Sequence, residues 1–429
     1  MKHKIDICSP KVRFPEFKNS ETWKKKKLID TIKKIIDFRG RTPKKLGMDW
    51  SSTGYLALSA LNVKNGYIDY SKDKYYGSDE LYNKWMNGNN LYKGQVIFTT
   101  EAPMGNIVQI PDDNKYILSQ RVIAFCVRNN VITDSFLALL LKSPFVFSQL
   151  ISLSSGGTAQ GISQKSLSSV TVYLPSNLIE QQKIADCLSS LDKLIEAHAQ
   201  KLDALKQHKK GLMQRLFPAE DETMPRWRFP EFRNNGEWEN IALGKLLTQS
   251  PDYGVNAPAV PYSSNLPTYI RITDISDNGK FIKEKRMSVN IEVTEKNYLH
   301  TGDIVLARTG ASVGKSYKYQ ETDGSLVFAG FLIRISPDIN KSNSEFINQF
   351  FHTQQYWNWV HFTSMRSGQP GINGTEYASL PVPIPSLPEQ QKIADCLSSL
   401  DEQMESQEKK IAALKEHKKG MMQQLFPSL

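Results

Sequence analysis

The stretch Arg308-Thr309-Gly310-Ala311-Ser312-Val313-Gly314-Lys315-Ser316 has the composition of a phosphate-cradling loop. A nucleotide-binding P-loop sets four residues between its glycines so that successive amides wrap a triphosphate. Here three residues intervene, so the stretch reads as a tight turn beside a ligand-facing surface. Metal-assisted hydrolysis needs paired ligands, and His3, His198, His208, His300, His352, His361 and His417 show no HExxH or other ligand spacing. The acids of Pro111-Asp112-Asp113-Asn114-Lys115 sit too close together to act as a metal-binding pair, and a turn is expected there. No Asn-Pro-Pro or Asp-Pro-Pro step offers a grip on an exocyclic amine for methyl transfer. Cys8, Cys126, Cys187 and Cys396 are far apart with no CxxC pair, which excludes a disulfide framework or a thiolate zinc site and fits a reducing cytoplasm. The residue types left over are Arg, Lys, Gln, Asn, Ser and Thr near glycines. Their chemistry is hydrogen bonding to phosphates and base edges.

The charge distribution points the same way. The chain of 429 residues carries a net charge of +10. Residues 1–179 hold 25 Lys/Arg against 14 Asp/Glu, an excess of 11, while residues 218–388 hold 16 against 18. Basic clusters such as Lys24-Lys25-Lys26-Lys27 and Arg39-Gly40-Arg41-Thr42-Pro43-Lys44-Lys45 suit a polyanion, because Lys and Arg release counterions from phosphates. No apolar run approaches the roughly 20 residues of a membrane helix, and Met1–Asp6 leads into no apolar leader, so neither a membrane nor a secretory route is expected.

The elements that must position these groups come in duplicate. Glu180-Gln-Gln-Lys-Ile-Ala-Asp-Cys-Leu-Ser-Ser-Leu-Asp192 recurs unchanged as Glu389–Asp401, and 27 positions match between residues 180–218 and 389–427. Arg13-Phe14-Pro15-Glu16-Phe17 with Trp23 returns as Arg228-Phe229-Pro230-Glu231-Phe232 with Trp238. Leu91–Phe98 parallels Leu299–Leu306, and Gly161-Ile162-Ser163 parallels Gly371-Ile372-Asn373. One unit of about 210 residues is thus used twice.

Within the nearly identical segments, apolar residues recur in alternating steps of four and three. The first seam is Ile184, Leu188, Leu191, Ile195, Leu202, Leu205, Leu212 and Leu216. The second is Ile393, Leu397, Leu400, Met404, Ile411, Leu414, Met421 and Leu425. This is a coiled-coil period, broken by polar residues at matching places: His198 with Gln407, and Lys209 with Lys418. The expected organisation is a module over 1–179, a helix over 180–217, a second module over 218–388 and a second helix over 389–429. The modules read as mixed α/β. Strand-like runs include Tyr55–Leu58, Gln95–Phe98, Arg121–Val127, Tyr269–Ile272, Asp303–Leu306 and Phe331–Ile335, and helices are expected over Ser135–Lys142 and Ser344–Trp357. Near-identical helices suit one partner engaged twice, whereas divergent modules suit two different targets.

At this point the chain resembles the DNA-specificity (S) subunit of type I restriction-modification enzymes over nearly its full length. The marks are the Glu-Gln-Gln-Lys-Ile-Ala openings at Glu180–Ala185 and Glu389–Ala394, and the Leu-Phe-Pro helix ends. Gly-Asp-Ile-Val-Leu-x-Arg-x-Gly at Gly302–Gly310 and the Phe-Pro-Glu-Phe…Trp opening of each half complete them. The resemblance implies two target recognition domains joined by two long helices that pair as an antiparallel coiled coil, with a pseudo-twofold internal repeat. It implies a bipartite, asymmetric site on double-stranded DNA, two methyltransferase (M) subunits docked near the helices, and restriction (R) subunits in the larger complex. Methylation and cleavage, with S-adenosylmethionine, ATP and magnesium, would belong to those partners; this subunit would be non-catalytic and hold no cofactor. The first module departs from the pattern, since Gln95–Glu101 has no counterpart of Asp303 or Arg308.

On this reading the candidate DNA contacts of the first module are Arg39, Arg41, Lys44, Ser59, Asn62, Thr100, Gln120, Arg121, Thr158, Gln160 and Ser163. Those of the second are Arg271, Thr273, Arg308, Thr309, Ser312, Lys315, Arg366, Gln369 and Asn373. Two other classes compete: an architectural protein binding DNA without sequence preference, and a stand-alone nuclease.

Overall fold

A computed structural model of the chain describes residues 9–72, 74–156, 160–365 and 369–427. It divides into two units, one formed by residues 1–198 with 410–429 and the other by 199–409.

The first unit is built on an antiparallel four-stranded sheet of β1 (Ile32–Asp37), β2 (Val96–Thr99), β3 (Ile107–Gln109) and β4 (Val122–Val127), in the order β1-β4-β2-β3. The second unit repeats it with β5 (Asp252–Tyr253), β6 (Ile304–Ala307), β7 (Ser316–Lys318) and β8 (Leu332–Ile335), in the order β5-β8-β6-β7. The central strands β2, β6 and β8 are buried at every position; β6 is wholly apolar, β2 ends in Thr99, and β8 carries the buried Arg334, which Asp252 answers. Each unit adds a smaller mixed sheet. Tyr55–Leu58 lies between Tyr76–Gly77 and Ile117–Leu118; Thr268–Ile270 lies between Met287–Val289 and Leu326–Phe328, with Ala259–Pro261 beyond. The four lysines Lys24–Lys27 form a strand paired with Thr171–Leu174, and Glu239–Ala242 pairs in the same way with Pro381–Ile384.

The long helices are α1 (Leu178–Leu216) and α2 (Leu387–Leu425). Every expected seam residue is buried or half-buried, and the residues between them are mostly exposed. In the first unit, Leu188 of α1 and Leu425 of α2 share a core with Trp23 and Phe136. In the second, Leu216 of α1 and Leu397 of α2 share a core with Trp238 and Phe346. Inside each unit the helices run antiparallel. Lys209 and Lys206 of α1 face Asp401 and Glu408 of α2, one number falling as the other rises. Each helix ends at Phe-Pro, and the phenylalanine then enters the core: Phe426 packs on Trp23 and Phe136, and Phe217 on Trp238 and Phe346.

One expected element is split. The helix expected over Ser344–Trp357 is two, Ser344–Phe350 and Gln354–Ser364. Thr353 breaks it by taking extended geometry and capping the second helix, its hydroxyl accepting from the Tyr356 amide.

Candidate nucleic-acid interface

In the second unit the strand end after β6 and a returning loop are stitched together by backbone bonds. The Ile372 amide donates to Arg308 O at 2.9 Å, Gly310 N donates to Pro370 O at 3.0 Å, and Thr309 bridges Gly371. This gathers Arg308, Thr309, Gln369 and Asn373. The first unit uses the same stitch: the Ile162 amide donates to Thr100 O at 2.9 Å, and Glu101 bridges Gly161. It gathers Thr100, Arg121, Gln160 and Ser163. Arg39 reaches the same loop through a hydrogen bond to Ile162 O. Thr158 and Arg366 lie outside the described residues.

The candidate side chains differ in what already holds them. Asn62 is buried; its Oδ1 accepts from Ser59 N at 2.9 Å and its Nδ2 donates to Ala57 O at 2.8 Å, so it fixes a turn. The Ser59 hydroxyl accepts from Leu61 N in that turn. Ser163 and Asn373 cap short helices, accepting from the Ser166 and Glu376 amides. Arg271 grips the buried carboxylate of Asp274 at 2.8 and 2.7 Å, and that partner raises its pKa. Lys315 pairs with Asp277, whose carboxyl it holds below the ordinary range. Arg39 forks onto Asp37; burial pushes that carboxyl up, but the hydrogen bonds from Arg39 and Gln164 outweigh it and hold it low. Thr100 is buried, with no hydrogen-bond partner for its hydroxyl. Arg41 lies over the Phe38 ring, its guanidinium carbon 4.5 Å from the centroid. Lys44, Gln120, Arg121, Gln160, Thr273 and Gln369 are exposed, and Ser312 is half-exposed.

A buried latch at the head of each long helix escaped the reading of the sequence. Glu180, fully buried, accepts from Arg13 Nε and Nη2 at 2.6 Å each and from the Trp23 indole at 3.2 Å. Glu389 accepts in the same way from Arg228 at 2.6 and 2.7 Å. Gln181 donates to Val131 O and Pro175 O, and Gln390 to Lys341 O and Pro385 O. The Arg-Phe-Pro-Glu-Phe and Glu-Gln-Gln motifs are therefore two sides of one joint. The signal was their joint recurrence in both halves.

Residues 20–207 and 237–416 each match the type I restriction modification DNA specificity domain. The chain belongs to the type I restriction-modification DNA specificity family. Each matched span takes in one module and most of the long helix that follows it. The chain is 24% identical over 330 residues, 73% of its own length and 74% of the relative's, to the type I restriction enzyme MjaVIII specificity subunit of Methanocaldococcus jannaschii. It shares its fold with the S subunit of the type I restriction-modification system from M. genitalium, at a TM-score of 0.64 and 18% identity, covering 98% of this chain and 100% of that one. A chain from a structure of type I R-M complex assembly and conformational transition aligns at a TM-score of 0.53 and 16% identity, covering 95% of this chain and 98% of that one. No single helix among the described residues is long and apolar enough to cross a membrane.

Proposed function

We propose that this specificity-family chain is the non-catalytic DNA reader of a type I restriction-modification complex, each unit reading one half of a bipartite, asymmetric duplex site. The observation that carries this is one backbone frame with different side chains mounted on it: Thr100-Glu101 beside Gly161 in one unit, Arg308-Thr309 beside Gly371 in the other. A shared frame with divergent side chains gives two specificities from one architecture. The recognition modules are assigned to 1–179 and 218–388, and the helices over 180–217 and 389–429 are the surface for two methyltransferase subunits, with restriction subunits completing the assembly. S-adenosylmethionine, ATP and magnesium belong to those partners, and the complex works in the cytoplasm.

The test is to co-express the chain with its methyltransferase partner and map methylated adenines. Replacing residues 218–388 by another module should change one half of the methylated motif and leave the other. If both halves stay the same, the reading fails. An architectural DNA protein would instead lose affinity with salt equally for every sequence. A nuclease would cut DNA with a divalent metal and no partner.

A further inference from the structure

We infer that one backbone-paired couple of positions, repeated in both units, selects the base that each unit reads, and that in the second unit its occupant Arg308 reads a guanine. This rests on the DNA-reading role proposed above. The couple lies between the central strands. Arg308, just after β6, donates its amide to the carbonyl of Phe331, just before β8, at 3.1 Å. Thr100, just after β2, donates to the carbonyl of Arg121, just before β4, at 2.8 Å. Thr100 thus corresponds to Arg308, and Arg121 to Phe331. The arginine has changed places between the two members of the couple, while the frame around it has not. In the second unit the vacated member is Phe331, 61% exposed. In the first, Arg121 is exposed, makes only a loose 3.6 Å exposed pair with Glu101, and takes a left-handed backbone, φ +63°, a conformation that non-glycine residues adopt at a cost.

The state of the Arg308 side chain separates it from its neighbours. Arg271 and Arg334 in the same unit are each clamped by a carboxylate, Asp274 and Asp252, through two hydrogen bonds. Their charge is already answered. Arg308 makes no ion pair among the described residues, and its Nε is buried with no hydrogen-bond partner. Its guanidinium carbon lies 4.8 Å from the centre of the Tyr253 ring, and the Tyr253 hydroxyl is itself fixed by accepting from Gly374 N at 2.9 Å. The side chain is ordered without being neutralised. A framework arginine would have its carboxylate, and a phosphate contact needs only a mobile cation. A planar fork fixed in advance, with its charge unanswered, matches the paired O6 and N7 acceptors of guanine and loses little rotamer freedom on binding. The Thr100 hydroxyl at the corresponding place is likewise buried without a hydrogen-bond partner.

The experiment selects a randomised duplex library with the full chain assembled with its methyltransferase partner, comparing wild type, Arg308→Ala, Arg308→Lys and Arg121→Ala. Arg308→Ala should abolish a guanine preference at one position of one half-site, lowering enrichment of that base roughly five- to hundred-fold, with the other half-site intact. Arg308→Lys keeps the charge without the fork and should lose the same preference; it decides the question alone if the alanine variant does not fold. Arg121→Ala should alter only the opposite half-site. If Arg308→Lys retains the full motif, or weakens all sequences equally, the assignment of Arg308 to a base is overturned. If exchanging residues 218–388 leaves the selected motif unchanged, the DNA-reading role itself falls instead.

Discussion

Lys209 Nζ lies 2.6 Å from Asp401 Oδ2 in the second unit, and Lys418 with Asp192, the same two repeat positions exchanged between the helices, form the matching pair in the first. The lysine breaks in the two apolar seams are therefore answered by the aspartate that closes the thirteen-residue stretch repeated unchanged on the opposite helix. A slide of either helix by one turn would part Lys from Asp in that unit and leave an amine against apolar neighbours. Polar seam residues fix register at some cost in stability, and here a charge pair does so in each unit.

The first prediction follows from that pair. Lys209→Ala and Asp401→Ala should each destabilise the second unit by about 1–3 kcal/mol, between the values for exposed and buried pairs. The exchange Lys209→Asp with Asp401→Lys should recover most of the loss. A urea-unfolding double-mutant cycle checks this. Purely additive losses with no recovery would mean that the pair does not set register.

The seams were legible because period, not identity, determines burial: Leu188, Leu191, Ile195, Leu202 and Leu205 each fall on the inward face. The repeat was legible by inspection. What could not be read was where polar partners lie in space. Arg271 and Asn62 have the donors of base readers, yet Asp274 and the Ser59–Ala57 turn hold them. For Asn373 the signal was present, since Asn-Gly-Thr-Glu is a capping box in sequence. The latch from Arg13 to Glu180 spans 167 positions, and no local pattern reports a contact at that range.

The latch gives the second prediction. Glu389→Gln leaves the Arg228 guanidinium, 7% exposed, without its counter-charge, and should destabilise the chain by about 3–5 kcal/mol. The neighbouring Lys392–Glu231 pair is half-exposed on both sides and screened by solvent, so Glu231→Ala should leave stability nearly unchanged. Chemical denaturation of the two variants in parallel distinguishes them. Equal effects would show that burial does not govern the joint.

Two glycines with positive φ make a third test. Gly314 has φ +88°, and an added Cβ would lie 2.8 and 2.9 Å from the Val360 methyls. Gly324 has φ +77° and open space around it. Gly324, with ψ −177°, sits in an extended positive-φ conformation that essentially only glycine adopts, so Gly324→Ala should cost that backbone strain alone, about 1–3 kcal/mol. Gly314→Ala adds a steric clash against a core helix and should lower the melting temperature further. If the two variants melt together, the packing at Val360 yields without cost.

The last prediction concerns acid. His352 is held at a pKa of about 4, chiefly because burial disfavours the imidazolium; Lys209 lowers it further, while Asp401 and Glu345 oppose. In the unfolded chain an imidazole titrates near 6.5. Between about pH 6.5 and 4 the unfolded chain therefore binds a proton that the folded chain refuses. The contribution of this group to stability is complete above 6.5, falls as pH drops through that window, and is level again below 4. The slope from this group is at most about 1.4 kcal/mol per pH unit. Glu405 acts lower down: hydrogen bonds from Lys280 and Lys409 hold it at about 2, so its stabilisation is lost only between roughly pH 4.3 and 2. Because the two windows barely overlap, His352→Gln should flatten the stability profile above pH 4.3, and Glu405→Gln should flatten it below. Urea midpoints measured from pH 3 to 7.5 test both, and a His352→Gln profile parallel to wild type between pH 4.5 and 6.5 would refute the assignment to this imidazole.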